Sequence, residues 1–419
     1  MTINLTTLDN GLRVATDSME GVESASLGLW VGVGTRHEEA EDNGVAHLVE
    51  HMLFKGTTRR SAFDISAQME NVGGHLNAYT TREATAYHAQ VLKSDVPLAA
   101  DILCDMMQNA TLDEKELDRE RGVIIQEIGQ SMDQPEDVLF DLVQKKAWGE
   151  AGLGRPVLGS PEIIGKIPRA RLQHYMANHY AAPQMIFAAA GALDHAAIVK
   201  LAEDNLSRLA LKPLTQPDPA SFSGGDVREE RDIEQLHALI AFKGLSWADD
   251  DYYALCVLST LLGGGMSSRL FQEVREKRGL VYSIYSYVSA FGDGGMFGIY
   301  AGTDPMKIQE LLPLVAGELR GVTKNVTEEE LSRAKAQLRA SLFMAQESSM
   351  ARAERLASNL LMYERIVGHG EIVAKIEAAS ADDMKRLAQN LLKNLPVTGF
   401  VGPLSQVPAG DGVAKSFMG

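Results

Sequence analysis

His47-Leu-Val-Glu50-His51 sets two imidazoles and a carboxylate at positions i, i+3 and i+4, so that in a helix all three fall on one side. The flanks predict that helix: Asp42 and Asn43 can cap its start, Lys55 suits its last turn and Gly56 can close it. Val45, Leu48, Val49 and Met52 follow the i, i+3, i+4, i+7 rule and form an apolar stripe on the opposite side. With 10 His in 419 residues, a chance His-x-x-Glu-His is expected about 0.02 times per chain. Coincidence is therefore the weaker reading. The order is the inverse of the common zinc-protease His-Glu-x-x-His.

Two histidines leave a zinc site one protein ligand short. Glu127 is the candidate for the third, in the helical segment Leu117-Asp-Arg-Glu120-Arg-Gly-Val-Ile-Ile-Gln-Glu127, where Glu120 lies two turns earlier on nearly the same face. On charge pattern alone this segment is merely an acidic helix, and that plain reading is the stronger one.

The 76-residue step from His51 to Glu127, with Glu120 seven residues before it, resembles the pitrilysin-like (M16) metallopeptidases. So do His51-Met-Leu-Phe-Lys55-Gly-Thr57, Gly73-Gly-His75-Leu-Asn77-Ala78-Tyr-Thr80-Thr-Arg-Glu83 and Ser268-Arg-Leu-Phe-Gln-Glu-Val-Arg275-Glu-Lys-Arg-Gly-Leu-Val-Tyr282-Ser283, which are similar to the processing-peptidase β-subunit branch of that family. The likeness spans nearly the whole chain.

Length predicts two or three domains. A formal charge of −16 argues against nucleic-acid binding, which needs a basic stripe, and favours basic peptides. Only Cys104 and Cys256 are present, so no disulfide framework is implied and a reducing compartment fits. No run of 18 apolar residues occurs, so no membrane span is expected. The start, Met1-Thr-Ile-Asn-Leu-Thr-Thr-Leu, has no leader character. A bacterial, cytoplasmic protein is the expectation.

The Pro-, Gly- and Ser-rich stretch around residues 213–226 reads as a linker between two near-equal halves, 1–212 and 227–419. Both halves repeat the same order: an apolar strand (Ser26 to Gly34; Leu236 to Gly244), a helix, alternating strands (Ala78 to Val91; Val281 to Ala301), then paired helices. Glu116-Leu-Asp-Arg119 matches Glu330-Leu-Ser-Arg333 at an offset of 214, which sets Glu127 against Ser341 and Glu120 against Ala334. Thus the second copy lacks the acids. Its counterpart of the zinc helix, Ala254 to Ser268, has no His, Asp or Glu. The fold class is α+β, and the resemblance specifies two homologous α+β roll domains of a metallohydrolase fold.

The resemblance also implies roles. His47, His51 and Glu127 would hold one Zn2+ per chain, Glu50 would be the general base, and Glu120 would orient a zinc-bound side chain. Asn77 and Ala78 would hold an extended peptide on an edge strand. Arg275 and Tyr282, on composition merely a surface Arg and a half-buried Tyr, would reach the scissile carbonyl. Asp137 and Asp141, otherwise a solvated helix start, would receive a substrate Arg near P2. The isolated His75 and His88 read as structural, and Gly263-Gly264-Gly265-Met lacks the ending of a phosphate loop. The expected protein is a zinc endopeptidase acting on peptides or short unfolded segments in a closed chamber. It is expected to form a homodimer with composite sites, the alternative being a heterodimer with an inactive sibling. The rival functions are a non-catalytic, core-protein-like subunit and a peptide-binding protein.

Overall fold

The computed structural model describes residues 2–212, 216–409 and 412–418. The first sheet contains β1 (Thr2–Thr7), β2 (Arg13–Ser18), β3 (Ser24–Val31), β4 (His75–Thr80), β5 (Thr85–Leu92) and β6 (Met185–Gly191). Its order is β1-β2-β6-β3-β5-β4. The second contains β7 (Gly225–Glu230), β8 (Leu236–Lys243), β9 (Val281–Ala290), β10 (Gly295–Thr303) and β11 (Val397–Gly402), in the order β7-β11-β8-β10-β9. The second sheet repeats the last five positions of the first. In each, one parallel pair (β2 with β6, β7 with β11) sits among antiparallel neighbours. The α+β class and the duplication hold.

The helices repeat as well. Glu114–Met132 and Pro135–Trp148 recur as Glu328–Ala345 and Ser349–Tyr363, each starting 214 residues later. The compact units, however, do not follow the linear halves. One consists of Met1–Gly129, Arg155–Asp218 and Met344–Ile366, the other of Gln130–Gly154, Pro219–Phe343 and Val367–Gly419. Each unit takes one helix from the other half of the sequence, a departure from the division at 212 and 227. The expected linker also ends early, because Gly225 and Asp226 already pair in β7. Its Pro213–Thr215 portion lies outside the described residues.

Side-chain size explains the exchange. In the first unit, alternation sends Leu27, Leu29 and Val31 of β3 to one face, with Leu48, Val49 and Met52 of the helix Val45–Leu53 in the same core. The other face carries Trp30, Ala15, Ala86, Ile186, Ala188 and Ala190, and packs with Ala353, Leu356, Ala357 and Leu360 of Ser349–Tyr363. Buried on both sides, β6 is apolar throughout. Polar ties fix the same helix: Ser349 to Ser26 at 2.8 Å, Arg352 to the buried Asp17 at 3.2 Å, and Glu354 accepting from Tyr79 at 2.7 Å. In the second unit Leu139, Val143 and Ala147 of Pro135–Trp148 pack with Leu239, Ala241, Val397 and Val401. A Cβ on Gly399 of β11 would lie 2.3 Å from Val143 Cγ2, so the close approach of that helix requires glycine.

The helix Val45–Leu53 does not start as the flanking residues suggest. Gly44 is its N-cap, at φ +98°, and offers no side-chain acceptor. The acceptor is Glu38: Oε1 takes the Ala46 N–H at 2.8 Å, and Oε2 takes the Gly44 N–H and the Asn43 amide, both at 2.9 Å. Asn43 therefore donates to the capping group instead of capping, and Asp42 pairs with Arg171 at 3.3 Å. A carboxylate at a helix start also meets the positive end of the dipole. Burial pushes the Glu38 carboxyl up to about 7, against the hydrogen bonds from Asn43, Ala46 and Gly44. Since the folded protein then binds a proton that the unfolded chain releases near 4.5, this group's contribution to stability is full at low pH and is lost as pH rises through 7. The stability of the wild type relative to Glu38→Gln should therefore fall between about pH 5 and pH 8 in urea unfolding. A difference independent of pH over that range would contradict the assignment.

Candidate metal centre

Val45–Leu53 carries its chemistry as the spacing predicts. Val45, Leu48, Val49 and Met52 are fully buried, and His47, Glu50 and His51 point to the other side. There Glu114–Met132 brings up its acids. His51 Nε2 lies 3.6 Å and His47 Nε2 3.9 Å from Glu127 Oε2. One ligand atom from each of the three lies within 4.8 Å of the others, and no other cluster among the described residues meets that test. His75 and His88 stand apart from it, and a tilted contact at 6.1 Å joins His88 to Tyr79.

The donor set and its spacing fit zinc. Tetrahedral coordination at about 2.0–2.1 Å places ligand atoms roughly 3.3–3.4 Å apart, so small side-chain adjustments would close the site. Orientation is already set for one ring: His51 Nδ1 bonds Glu120 Oε2 at 3.0 Å. Because a carboxylate only accepts, Nδ1 carries the proton and Nε2 presents its lone pair. Glu120 is buried and is held by Lys55 Nζ, 2.8 Å from Oε1. Lys55, expected only to favour the helix end, thus neutralises a carboxylate behind the ligand. His47 Nδ1 is buried without a hydrogen-bond partner among the described residues.

Electrostatics treat the two rings differently. Burial, with His51 beside it, pushes His47 down to about 4, which keeps the ring neutral, as a ligand must be. For His51 burial acts downward, but the hydrogen bond to Glu120 and the charges of Glu127 and Glu50 outweigh it and raise the pKa. Burial also opposes ionisation of Glu120, yet the bonds from His51 and Lys55 hold its carboxyl below the usual range. Glu50, Glu120 and Glu127 come together beside the two imidazoles, and Lys55 pairs with Glu120. A bound divalent cation would offset the remaining negative charge.

Glu50 is half-buried next to His51, and burial raises its pKa, against a hydrogen bond from Thr80. Thr80 ends β4, the outer strand of the first sheet. On that strand Asn77 is exposed, its Oδ1 accepting its neighbour Ala78 N–H at 2.8 Å, and Ala78 is half-buried. These residues belong to the first unit with the metal ligands.

The remaining predicted positions belong to the second unit. Arg275 is exposed in the π-helical turn Phe271–Glu276, its guanidinium 4.7 Å from the Phe271 ring centre. Tyr282 is exposed near the start of β9, the outer strand of the second sheet. Asp137 and Asp141 are exposed on Pro135–Trp148, whose Glu136 accepts from Tyr285 at 2.6 Å. The helix corresponding to Val45–Leu53 is Tyr252–Gly263, largely apolar and without His, Asp or Glu. Its terminal Gly263 is required by packing, since a Cβ there would lie 2.5 Å from Ser286 N.

Similarity to known proteins follows the linear halves of the sequence. Residues 13–161 match the family described as Insulinase (Peptidase family M16), and residues 166–338 match the Peptidase M16 inactive domain. The chain is 39% identical over 418 residues to an uncharacterized zinc protease of Streptomyces coelicolor, covering 97% of this chain and 91% of that one. It is 34% identical to an uncharacterized zinc protease of Bacillus subtilis, covering 96% and 99% respectively. To a probable mitochondrial-processing peptidase subunit beta of Arabidopsis thaliana it is 36% identical, over 96% of this chain and 79% of that protein. The crystal structure of a protease from Helicobacter pylori superposes with a TM-score of 0.89 at 22% identity, over 96% and 99% of the two chains, which shows the shared fold. Zinc is accordingly the metal of this donor set, and the chain belongs to peptidase family M16.

Proposed function

We propose that this protein is a zinc-dependent endopeptidase, acting in the cytoplasm on peptides and short unfolded segments that enter a closed chamber. The observation that carries the reading is the convergence of His47 and His51, which share a helix with Glu50, on Glu127 of the helix Glu114–Met132. His47, His51 and Glu127 would hold the ion. Zinc, when bound, supplies a Lewis acid and makes a nucleophile available near neutral pH. Glu50 takes a proton from the attacking water on its carboxylate and passes it to the departing amine as the peptide bond breaks, so that no net proton is consumed. Glu120, backed by Lys55, keeps His51 in the tautomer that ligates.

An extended substrate adds to the free edge of β4, where Asn77 and Ala78 meet its backbone, which gives affinity without a fixed sequence. Arg275 and Tyr282 donate to the oxyanion that develops at the scissile carbonyl. In a two-fold homodimer each site would combine the metal half of one chain with Arg275 and Tyr282 of the other. The support is the uneven decay of the repeat: Glu120 and Glu127 have Ala334 and Ser341 as counterparts, and the helix Tyr252–Gly263 has no His, Asp or Glu. Asp137 and Asp141 accept an arginine near P2.

The wild type should bind about one zinc per chain and lose activity on chelation, whereas Glu50→Gln should keep its zinc and lose hydrolysis, since it removes the base and spares the ligands. Turnover of the Gln variant near the wild-type rate would remove Glu50 from the mechanism. Against a random peptide library, Asp137→Asn with Asp141→Asn should weaken the preference for Arg near P2, and an unchanged cleavage profile would sink that assignment. Co-expression of Glu50→Gln with Tyr282→Phe chains should restore about a quarter of wild-type activity if sites are shared, because half of randomly paired dimers are mixed and each has one intact site. Mixtures showing only the averaged activity of the parents would mean that each chain completes its own site.

A further inference from the structure

The hydroxyl of Thr80 donates to Glu50 Oε2 at 2.5 Å. The two residues come from different elements, the metal helix and the outer strand β4, and only the parity of the strand makes them meet. Leu76 and Ala78 of β4 pack on the core that contains Leu48, Val49 and Met52 of the metal helix, and Thr80, two residues on, shares that face. Tyr79 points the other way: its hydroxyl accepts from Trp30 Nε1 at 3.1 Å and donates to Glu354 at 2.7 Å. The register is held by pairing with β5, Tyr79 opposite Ala86 and Thr80 opposite Thr85. A slip of one residue would turn the hydroxyl away from Glu50 and bring a phenol ring to its side of the sheet.

Glutamate in a helix has three rotatable side-chain bonds, and a base must present one oxygen to one proton within hydrogen-bond reach. A single donor on one oxygen removes most of that freedom and leaves Oε1 to take the proton. We propose that Thr80 is a positioning residue for the base: it fixes the Glu50 carboxylate by a hydrogen bond from the strand to which substrate is added, so that binding surface and base are held as one unit. This inference rests on the assignment of Glu50 as base and of β4 as the substrate edge. It adds a residue that touches neither the metal ligands nor the scissile bond.

Thr80→Val keeps the shape and removes the donor, and Thr80→Ser restores the donor without the methyl group. With a fluorogenic peptide, Thr80→Val should lower kcat by about ten- to a hundredfold while KM and bound zinc stay within about twofold, and Thr80→Ser should recover most of the loss. Loss of kcat by both variants alike, a change in KM alone, or full activity of the Val variant would each overturn the proposal. A second measurement is independent of activity: in urea unfolding, Thr80→Val and Glu50→Ala should be non-additive, because each removes one partner of the same bond. Additive effects would overturn it. Turnover by Glu50→Gln would refute the assignment of the base and leave this stability cycle readable, so the two failures are distinguishable.

Discussion

The hydrogen bond between His51 and Glu120 is the interaction on which the rest of the site depends. It joins the helix Val45–Leu53 to the helix Glu114–Met132 at the level of the metal donors and selects the ring nitrogen that faces Glu127. A buried carboxylate is costly unless it is paired, and here His51 and Lys55 share that task. With the bond in place, Glu127 one face-repeat further along its helix comes within ligand distance of both imidazoles.

The metal helix is located from three sides. Its apolar stripe is buried in the core, Glu38 holds its first turn, and Thr80 and Glu120 hold the side chains that project from it. Such bracing suits a site whose ligands must stay within tenths of an ångström of a productive arrangement. The duplicated half shows what remains when that demand is lifted. Its equivalent helix has no His, Asp or Glu, Ala334 and Ser341 stand where the first copy has Glu120 and Glu127, and the sheet order persists. Sheet order and helix packing thus persist without the cluster of metal donors, which among the described residues occurs in one copy.

Much of this was legible in the residues. The spacing of His47, Glu50 and His51 is a helix rule, and an offset of 214 carries helix starts from Glu114 to Glu328 and from Pro135 to Ser349. Local periodicity reaches no further. Glu38 caps from six residues before Gly44, through a bend that no helix rule describes. Lys55 and Thr80 meet carboxylates 65 and 30 positions away in the chain, where only tertiary register decides the partner. The exchange of Pro135–Trp148 and Ser349–Tyr363 between units was hidden for a related reason: an apolar stripe states that a helix is buried and does not state on which sheet. The stretch 213–226 runs into the second sheet, since Gly225 and Asp226 pair as a strand despite belonging to a glycine-rich stretch.

The claim that everything else rests on is that His47, His51 and Glu127 bind one zinc ion together. X-ray absorption at the zinc edge, on protein loaded with one equivalent of metal, reads the ligand set directly. The account predicts two imidazole nitrogens at about 2.0–2.1 Å, carboxylate oxygen at about 2.0–2.2 Å and no sulfur, with one imidazole lost in His47→Ala. A sulfur shell at about 2.3 Å, or a spectrum unchanged by His47→Ala, would contradict it.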